Sequence, residues 1–230
     1  MKIHGLQKLT LLDYPGKTAC TVFTGGCNFR CPFCHNALLV TDIDASDTYE
    51  EEEILKFLSG RVGLLDGVCI TGGEPLMQAD IAEFIRKIKE LGYKVKLDTN
   101  GTFPERLDFL VNNRLVDYVA MDIKNSKEKY AKTAGVGSIS ISDIERSIGI
   151  LMASGIDYEF RTTVVKELHT EEDIVKIAEW IKGAKGYFLQ NFEDSGNLIG
   201  ENLNPVSCDV LEKMKGLASA FVQNTQTRGI

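Results

Sequence analysis

Apolar positions fall along the chain in short runs separated by stretches of helical periodicity. Residues 17–24, KTACTVFT, combine β-branched and aromatic side chains and read as a strand. Thr48, with Glu51 three residues on, makes a capping box for a helix running to about Ser59. GVCIT at 67–71 is a short apolar run suited to a strand covered on both faces. Ile81, Phe84, Ile85, Ile88 and Leu91 then recur at helical spacing, and Gly92 closes that helix. The alternation continues with strands at 93–99, 117–123, 157–165 and 186–191 and helices at 104–113, 142–154 and 170–181. Val210, Met214, Leu217 and Phe221 mark one face of a last helix.

Strands that alternate with helices run parallel and are joined by right-handed crossovers. Six such units are too few for the closed eight-unit barrel, which typically takes about 250 residues. The expected fold is therefore α/β: a partial (βα)6 barrel of the TIM type, with a doubly wound sheet as the other arrangement. No linker or repeat divides the sequence, so one domain is expected over 1–230. Within it, 1–17 reads as an amino-terminal extension, 18–192 as the barrel core and 193–230 as a carboxy-terminal helical segment. Either fold binds ligands at the carboxyl ends of its parallel strands. The chemically suggestive segments fall there: 27–35, 72–74, 98–101 and 122–124, with Arg161 in the fifth strand and Gln190 near the end of the sixth.

Composition narrows the function. At 43% hydrophobic residues the chain can bury a core, and 33 Asp and Glu against 26 Lys and Arg leave a net charge of −7. That balance argues against a nucleic-acid partner, which needs clustered basic side chains. Neither a secretory signal nor an apolar run of about 20 residues is present, so no membrane association and a cytoplasmic location are expected. Of six cysteines, Cys27, Cys31 and Cys34 lie close together, while Cys20, Cys69 and Cys208 are scattered. The asymmetry suggests one metal site and three ordinary buried thiols. Cys20 and Cys69 fit as small apolar packing residues inside strands. His4 and His169 lie outside every motif and read as surface or packing residues.

The segment around the triplet is GGCNFRCPFCHN, residues 25–36. Spacings of four and then three let a short loop wrap three thiolates around one compact centre. A 4Fe–4S cluster held this way keeps one iron without a protein thiolate, as catalytic metal sites keep an open position. Buried thiols, or a zinc site completed by His35, are the other readings of the same residues.

The Cys-x3-Cys-x2-Cys pattern, with Phe33 before the last cysteine, resembles the signature of radical S-adenosylmethionine enzymes. The resemblance implies that the open iron chelates the amino and carboxylate groups of S-adenosylmethionine. Reductive cleavage then releases methionine and a 5′-deoxyadenosyl radical. Phe33, Cys34 and His35 would lie against that cofactor. Thr71-Gly72-Gly73-Glu74-Pro75 reads by itself as a turn, yet it is similar to the family's GGEP motif. Gly72, Gly73 and Glu74, with Gly73 first, are thereby implied to receive the cofactor's amino group. The segments around Asp98-Thr99 and Asp122-Ile123-Lys124 are similar to ones in pyruvate formate-lyase activating enzyme. That likeness implies a monovalent cation on Asp98, Thr99 and Asp122, and cofactor contacts from Asp122, Ile123 and Lys124. Arg161 is a charge within an apolar strand and needs a partner or an anionic ligand. The likeness assigns it to the cofactor, and an internal ion pair explains it equally. Gln190 stands where that enzyme has a cofactor-contacting histidine.

Cys34-His35-Asn36 and Asp13-Tyr14-Pro15-Gly16 resemble elements of the glycyl-radical activating enzymes, most closely the longer activators of anaerobic ribonucleoside-triphosphate reductase. The implied reaction abstracts hydrogen from a backbone glycine of a partner glycyl radical enzyme, with reduced flavodoxin or a similar protein as electron donor. One cluster is expected, because no second cysteine group occurs. The alternatives are a small-molecule enzyme such as 7-carboxy-7-deazaguanine synthase, or a zinc-stabilised adaptor that binds protein without catalysis.

Overall fold

A computed structural model describes residues 1, 3–43 and 48–229. Its eight strands form one sheet in sequence order. β1 (Ile3–Thr10) pairs antiparallel with β2 (Ala19–Thr24). β3 (Gly67–Gly72), β4 (Lys94–Thr99), β5 (Tyr118–Asp122), β6 (Asp157–Val164), β7 (Tyr187–Asn191) and β8 (Thr225–Arg228) then add in parallel. A strand order that never reverses gives every right-handed crossover the same sense and puts its helices on one face. A doubly wound sheet must reverse its order, so this one curls instead. The six strands β2 to β7 are the partial TIM-type barrel that the alternation predicts.

The covering helices are α1 (Leu38–Thr41), α2 (Glu51–Ser59), α3 (Ile81–Glu90), α4 (Pro104–Asn112), α5 (Tyr130–Thr133), α6 (Ile141–Ala153), α7 (Glu171–Trp180) and α8 (Cys208–Ala218). Alternate strand residues such as Val95, Leu97, Val119 and Phe160 join helix residues such as Phe84, Ile85, Leu107 and Ile148 in one apolar core. The intervening positions face inward, and across β3 to β7 most of them are polar, among them Thr71, Lys96, Asp98, Asp122, Glu159, Arg161, Thr163 and Gln190, with Cys69, Ala120 and Phe188 between them. Paired neighbours in the register share a face, and Cys69 pairs with Lys96, Asp122 with Arg161, and Thr163 with Gln190.

Four expectations shift. The 1–17 extension contains a strand, β1, whose polar residues gave no apolar alternation; pairing with β2 orders it. The 193–230 segment contains β8, TQTR, which closes on the barrel through two bonds of 2.8 Å from the Arg228 guanidinium to the Glu159 carboxylate. The capping box of α2 uses Glu50 and Glu53 rather than Thr48 and Glu51. The helix cannot start earlier because Tyr49 donates its amide to Ile3 of β1 at 2.9 Å. On α8 the buried stripe is Leu211, Met214 and Ala218, one step round from the expected face, and Phe221 lies beyond the helix end.

Candidate active site

The rim is assembled from strand ends. Beyond β2 the chain enters the cysteine loop at Gly26, whose φ of +89° suits glycine. Its amide donates to Leu39 at 2.8 Å, and its carbonyl accepts from Glu74 at 2.8 Å. A Cβ on Gly73 would overlap that same Gly26 carbonyl, and one on Gly72 would stand 2.5 Å from Thr24 backbone atoms. The paired glycines thus let the loops after β2 and β3 touch. On the far side the cysteine loop leans on Gly135, where a Cβ would overlap the Arg30 carbonyl. The Arg30 guanidinium donates back to the carbonyls of Cys27 and Phe29 at 2.6 and 2.8 Å.

Cys27, Cys31 and Cys34 all line one cavity of about 250 Å³. Burial raises all three thiol pKa values, that of Cys31 to about 11, and the nearby Lys124 ammonium pulls each of them back down. Thiolates are what iron binds, so a cation beside buried cysteines suits a cluster. Among the described residues no three His, Cys, Asp or Glu side chains converge tightly enough to hold a single ion. A cubane spreads its ligands over separate irons, and the three thiols around one cavity fit that wider spacing. The Phe29 amide also donates to Cys27 Sγ at 3.3 Å, and Asn100 Nδ2 approaches that sulfur at 3.9 Å.

The opposite wall is charged. Arg161 Nε donates to Asp122 Oδ1 at 2.9 Å, and Arg161 Nη1 donates to Asp98 Oδ2 at 3.2 Å. Lys124 Nζ donates to Asp122 Oδ2 at 2.9 Å, and Lys96 Nζ bonds Asp98 Oδ1. Burial works to raise both aspartates, but Arg161 with Lys96 holds Asp98, and Arg161 with Lys124 holds Asp122, below the usual carboxylate range. Three cations face two carboxylates. The surplus positive charge suits an anionic ligand group.

Phe33, His35, Gly72, Gly73, Asp98, Thr99, Asp122, Lys124, Arg161 and Gln190 line the cavity with the three cysteines. Two residues placed at the cofactor by resemblance do not. Glu74 is fully buried and ties β3 to β4, accepting from Thr99 Oγ1 at 2.8 Å and from the amides of Asn100 and Leu76 at 2.7 and 3.0 Å. Burial pushes its carboxyl up to about 7 against those three bonds. Ile123 packs into the core and presents only backbone, donating to Arg161 and accepting from Thr162, each at 2.8 Å. Thr99 lines the cavity, but its hydroxyl is turned to Glu74.

Several further residues of the site lie within or beside the motif segments without a role assigned by them. Thr71, Asn100 and Thr163 line the cavity, and Asn36 Nδ2 donates to the Gly72 carbonyl at 3.1 Å. Thr163 is two residues from Arg161 on the same strand face, which is the signal that finds it. Lys96 stands in the same relation to Asp98. His169 is buried, and its Nε2 lies 2.8 Å from the Lys124 carbonyl. His4 is buried as well, its ring filling the space where a Gly25 side chain would be. Cys20 and Cys69 are buried in strands, while Cys208 is exposed.

A partial barrel with three loop thiols facing a charged wall across one cavity defines a class: iron–sulfur enzymes that bind a charged organic cofactor. The sequence profile of the radical SAM superfamily matches residues 21–181, and the chain belongs to that family. Members use a 4Fe–4S cluster and S-adenosylmethionine, and so does this chain. A Methanocaldococcus jannaschii protein, provisionally named a glycyl-radical enzyme activating enzyme, is 34% identical over 99% of this chain and 96% of its own. Pyruvate formate-lyase-activating enzyme of Clostridium pasteurianum is 28% identical over 80% of this chain and 77% of its own. A solved domain of pyruvate-formate lyase-activating enzyme from Bacteroides vulgatus superposes with a TM-score of 0.58, covering 71% of this chain and 99% of that one at 16% identity. No helix among the described residues is long and apolar enough to cross a membrane.

Proposed function

We propose that this chain is an activating enzyme that takes a hydrogen atom from a backbone glycine of a partner glycyl radical enzyme, and that the partner is an anaerobic ribonucleoside-triphosphate reductase. The observation that carries the activating-enzyme reading is the near full-length match to the Methanocaldococcus protein; the choice of reductase as partner rests only on the resemblance of residues 13–16 and 34–36. Cys27, Cys31 and Cys34 would hold the 4Fe–4S cluster, which when bound and reduced would supply the electron for cleaving a carbon–sulfur bond of S-adenosylmethionine. The chain's own residues do the rest. Lys124 and Arg161, with the surplus charge of their wall, would bind the cofactor's carboxylate, and the Gly72–Gly73 backbone would receive its amino group. Phe33 and His35 lie on either side of Cys34 in the cysteine loop, and Thr163 and Gln190 line the wall across from it. Reduced flavodoxin or a similar small donor supplies the electron in this reading.

The test is anaerobic reconstitution and incubation with S-adenosylmethionine, a reductant and a candidate reductase. The expected result is 5′-deoxyadenosine, methionine and a glycyl radical signal on the reductase in electron paramagnetic resonance. Cofactor cleavage with turnover of a pterin and no protein radical would instead make the chain a small-molecule enzyme of the 7-carboxy-7-deazaguanine synthase kind.

A further inference from the structure

The charged wall rests on a side chain that never reaches the cavity. Lys96 lies on β4 two residues before Asp98, on the same inward face, and is 2% exposed. Its ammonium bonds Asp98 Oδ1 and stands 3.7 Å from Cys69 Sγ. The other Asp98 oxygen accepts from Arg161 at 3.2 Å and from the Thr71 hydroxyl at 3.3 Å. Asp122 gives one oxygen to Arg161 and the other to Lys124. Thr99 donates its hydroxyl to Glu74.

Asp98, Thr99 and Asp122 are the side chains that the likeness to pyruvate formate-lyase activating enzyme assigns to a monovalent metal cation. They do not fit one here. A hard cation needs several oxygen ligands turned toward one point, and these oxygens are already engaged by an ammonium, a guanidinium and a second ammonium. An added metal ion would also meet those full positive charges at close range.

We propose that Lys96 is a positioning residue that does the work of that cation: its fixed ammonium holds Asp98 ionised and oriented beneath the S-adenosylmethionine site, so that cofactor binding needs no alkali ion. The inference rests on membership of the radical SAM family and is independent of which protein or small molecule is the substrate. A lysine suits the role because its ammonium is a compact point charge with three donors on a flexible stem. The strand register brings it there, since Lys96 is flanked by Cys69 on β3 and Tyr118 on β5, neither of which is a competing anion at neutral pH.

The experiment is a titration of reconstituted protein with S-adenosylmethionine at constant ionic strength. One buffer contains only tetramethylammonium as cation, and the others contain K⁺ or Na⁺. Wild-type affinity is expected to be the same in all of them. Lys96→Met should bind about tenfold more weakly in tetramethylammonium, the scale of one lost charged hydrogen bond, and should recover when K⁺ or Na⁺ fills the emptied position. Lys96→Gln should behave the same way, because it restores a hydrogen bond but no charge. Iron and sulfide content are measured on each sample, so that loss of the cluster is not mistaken for loss of cofactor binding. Wild-type binding that strengthens severalfold on adding K⁺ or Na⁺ overturns the proposal, and so does unchanged affinity in either variant. Weakened binding that neither ion restores makes Lys96 a structural ion pair only, which also overturns it. Should both variants fail to fold, wild-type binding that strengthens with K⁺ or Na⁺ still overturns the proposal.

Discussion

The two walls of the cavity are built on opposite principles. The thiol wall is backbone: loops after β2 and β3 pressed together through Gly26, Gly72 and Gly73, with the cysteines hung from one of them. The charged wall is side chain: Lys96, Asp98, Asp122 and Arg161 standing on neighbouring strands and bonded across the register. The first has no room for a Cβ at Gly73, where the Gly26 backbone already stands. The second has rigid strands and makes each charge depend on the next. A substitution should therefore damage the thiol wall by moving chain, and the charged wall by unbalancing charge.

The largest effect expected is on the thiol wall. Cys31 is the most buried of the three thiols, and its replacement leaves two ligands for a cluster that needs three. Cys31→Ala should abolish cofactor cleavage and lower iron and sulfide content, while the unfolding free energy of the metal-free protein falls by only about 1 kcal/mol, the order of a small buried group. A variant that keeps its cluster and cleaves S-adenosylmethionine at the wild-type rate would break the comparison at its root.

Gly73→Ala comes next. The added methyl would overlap the Gly26 carbonyl, which is backbone and cannot swing aside. The resemblance gives Gly73 a role toward the cofactor alone, but a side chain there would also displace the cysteine loop. Metal-free protein should lose about 1–3 kcal/mol of stability from the forced overlap, and reconstitution should yield less cluster. Wild-type stability with full cluster loading would show that the two loops can separate without cost.

The walls also differ in how far they could be read beforehand. Three thiolates around one centre must come from a tight loop, so the spacing of Cys27, Cys31 and Cys34 carries the site by itself. The apolar runs of β2, β3 and β5 likewise carry the barrel, while β4 and β6 alternate between apolar side chains against the helices and polar ones inside. The charged wall is another matter. Lys96 read alone is an ordinary strand lysine; its place two residues before Asp98 and its pairing between Cys69 and Tyr118 put it inside. Glu74 sits in a motif that points to the cofactor, yet the three donors from Leu76, Thr99 and Asn100 turn it inward. β1 and β8 escaped the apolar pattern because edge strands are held by pairing and, for β8, by the Arg228–Glu159 ion pair. His169 reaches the site through a bond spanning 45 residues, for which no local pattern exists.

That histidine supplies the smallest effect and the one that separates charge from packing. His169 is 4% exposed; its Nδ1 accepts from the Val165 amide at 3.1 Å, which leaves the proton on Nε2 to donate to the Lys124 carbonyl at 2.8 Å. Burial lowers its pKa below the ordinary 6.5, with the bonds to Lys124 and Val165 opposing. Protonating Nδ1 would set one N–H against another. The folded state therefore binds fewer protons than the unfolded chain, so its share of stability is present above about pH 6.5 and is lost as pH falls through and below it. Glu74 acts in the opposite sense, since its carboxyl is raised from 4.5 to about 7 and stability falls as pH rises between those values. The two slopes partly cancel in wild-type protein, so the measurement is a difference. Urea unfolding of metal-free protein should show His169→Gln about 1–2 kcal/mol less stable at pH 7.5, from two weakened hydrogen bonds. At pH 5.5 the gap should narrow by up to about 1 kcal/mol, within the limit of about 1.4 kcal/mol per pH unit for one proton, because only the wild type has an imidazole to protonate there. A gap that stays constant between the two pH values would mean that the ring braces Lys124 by packing alone, and that the charged wall is insensitive to protons at its edge.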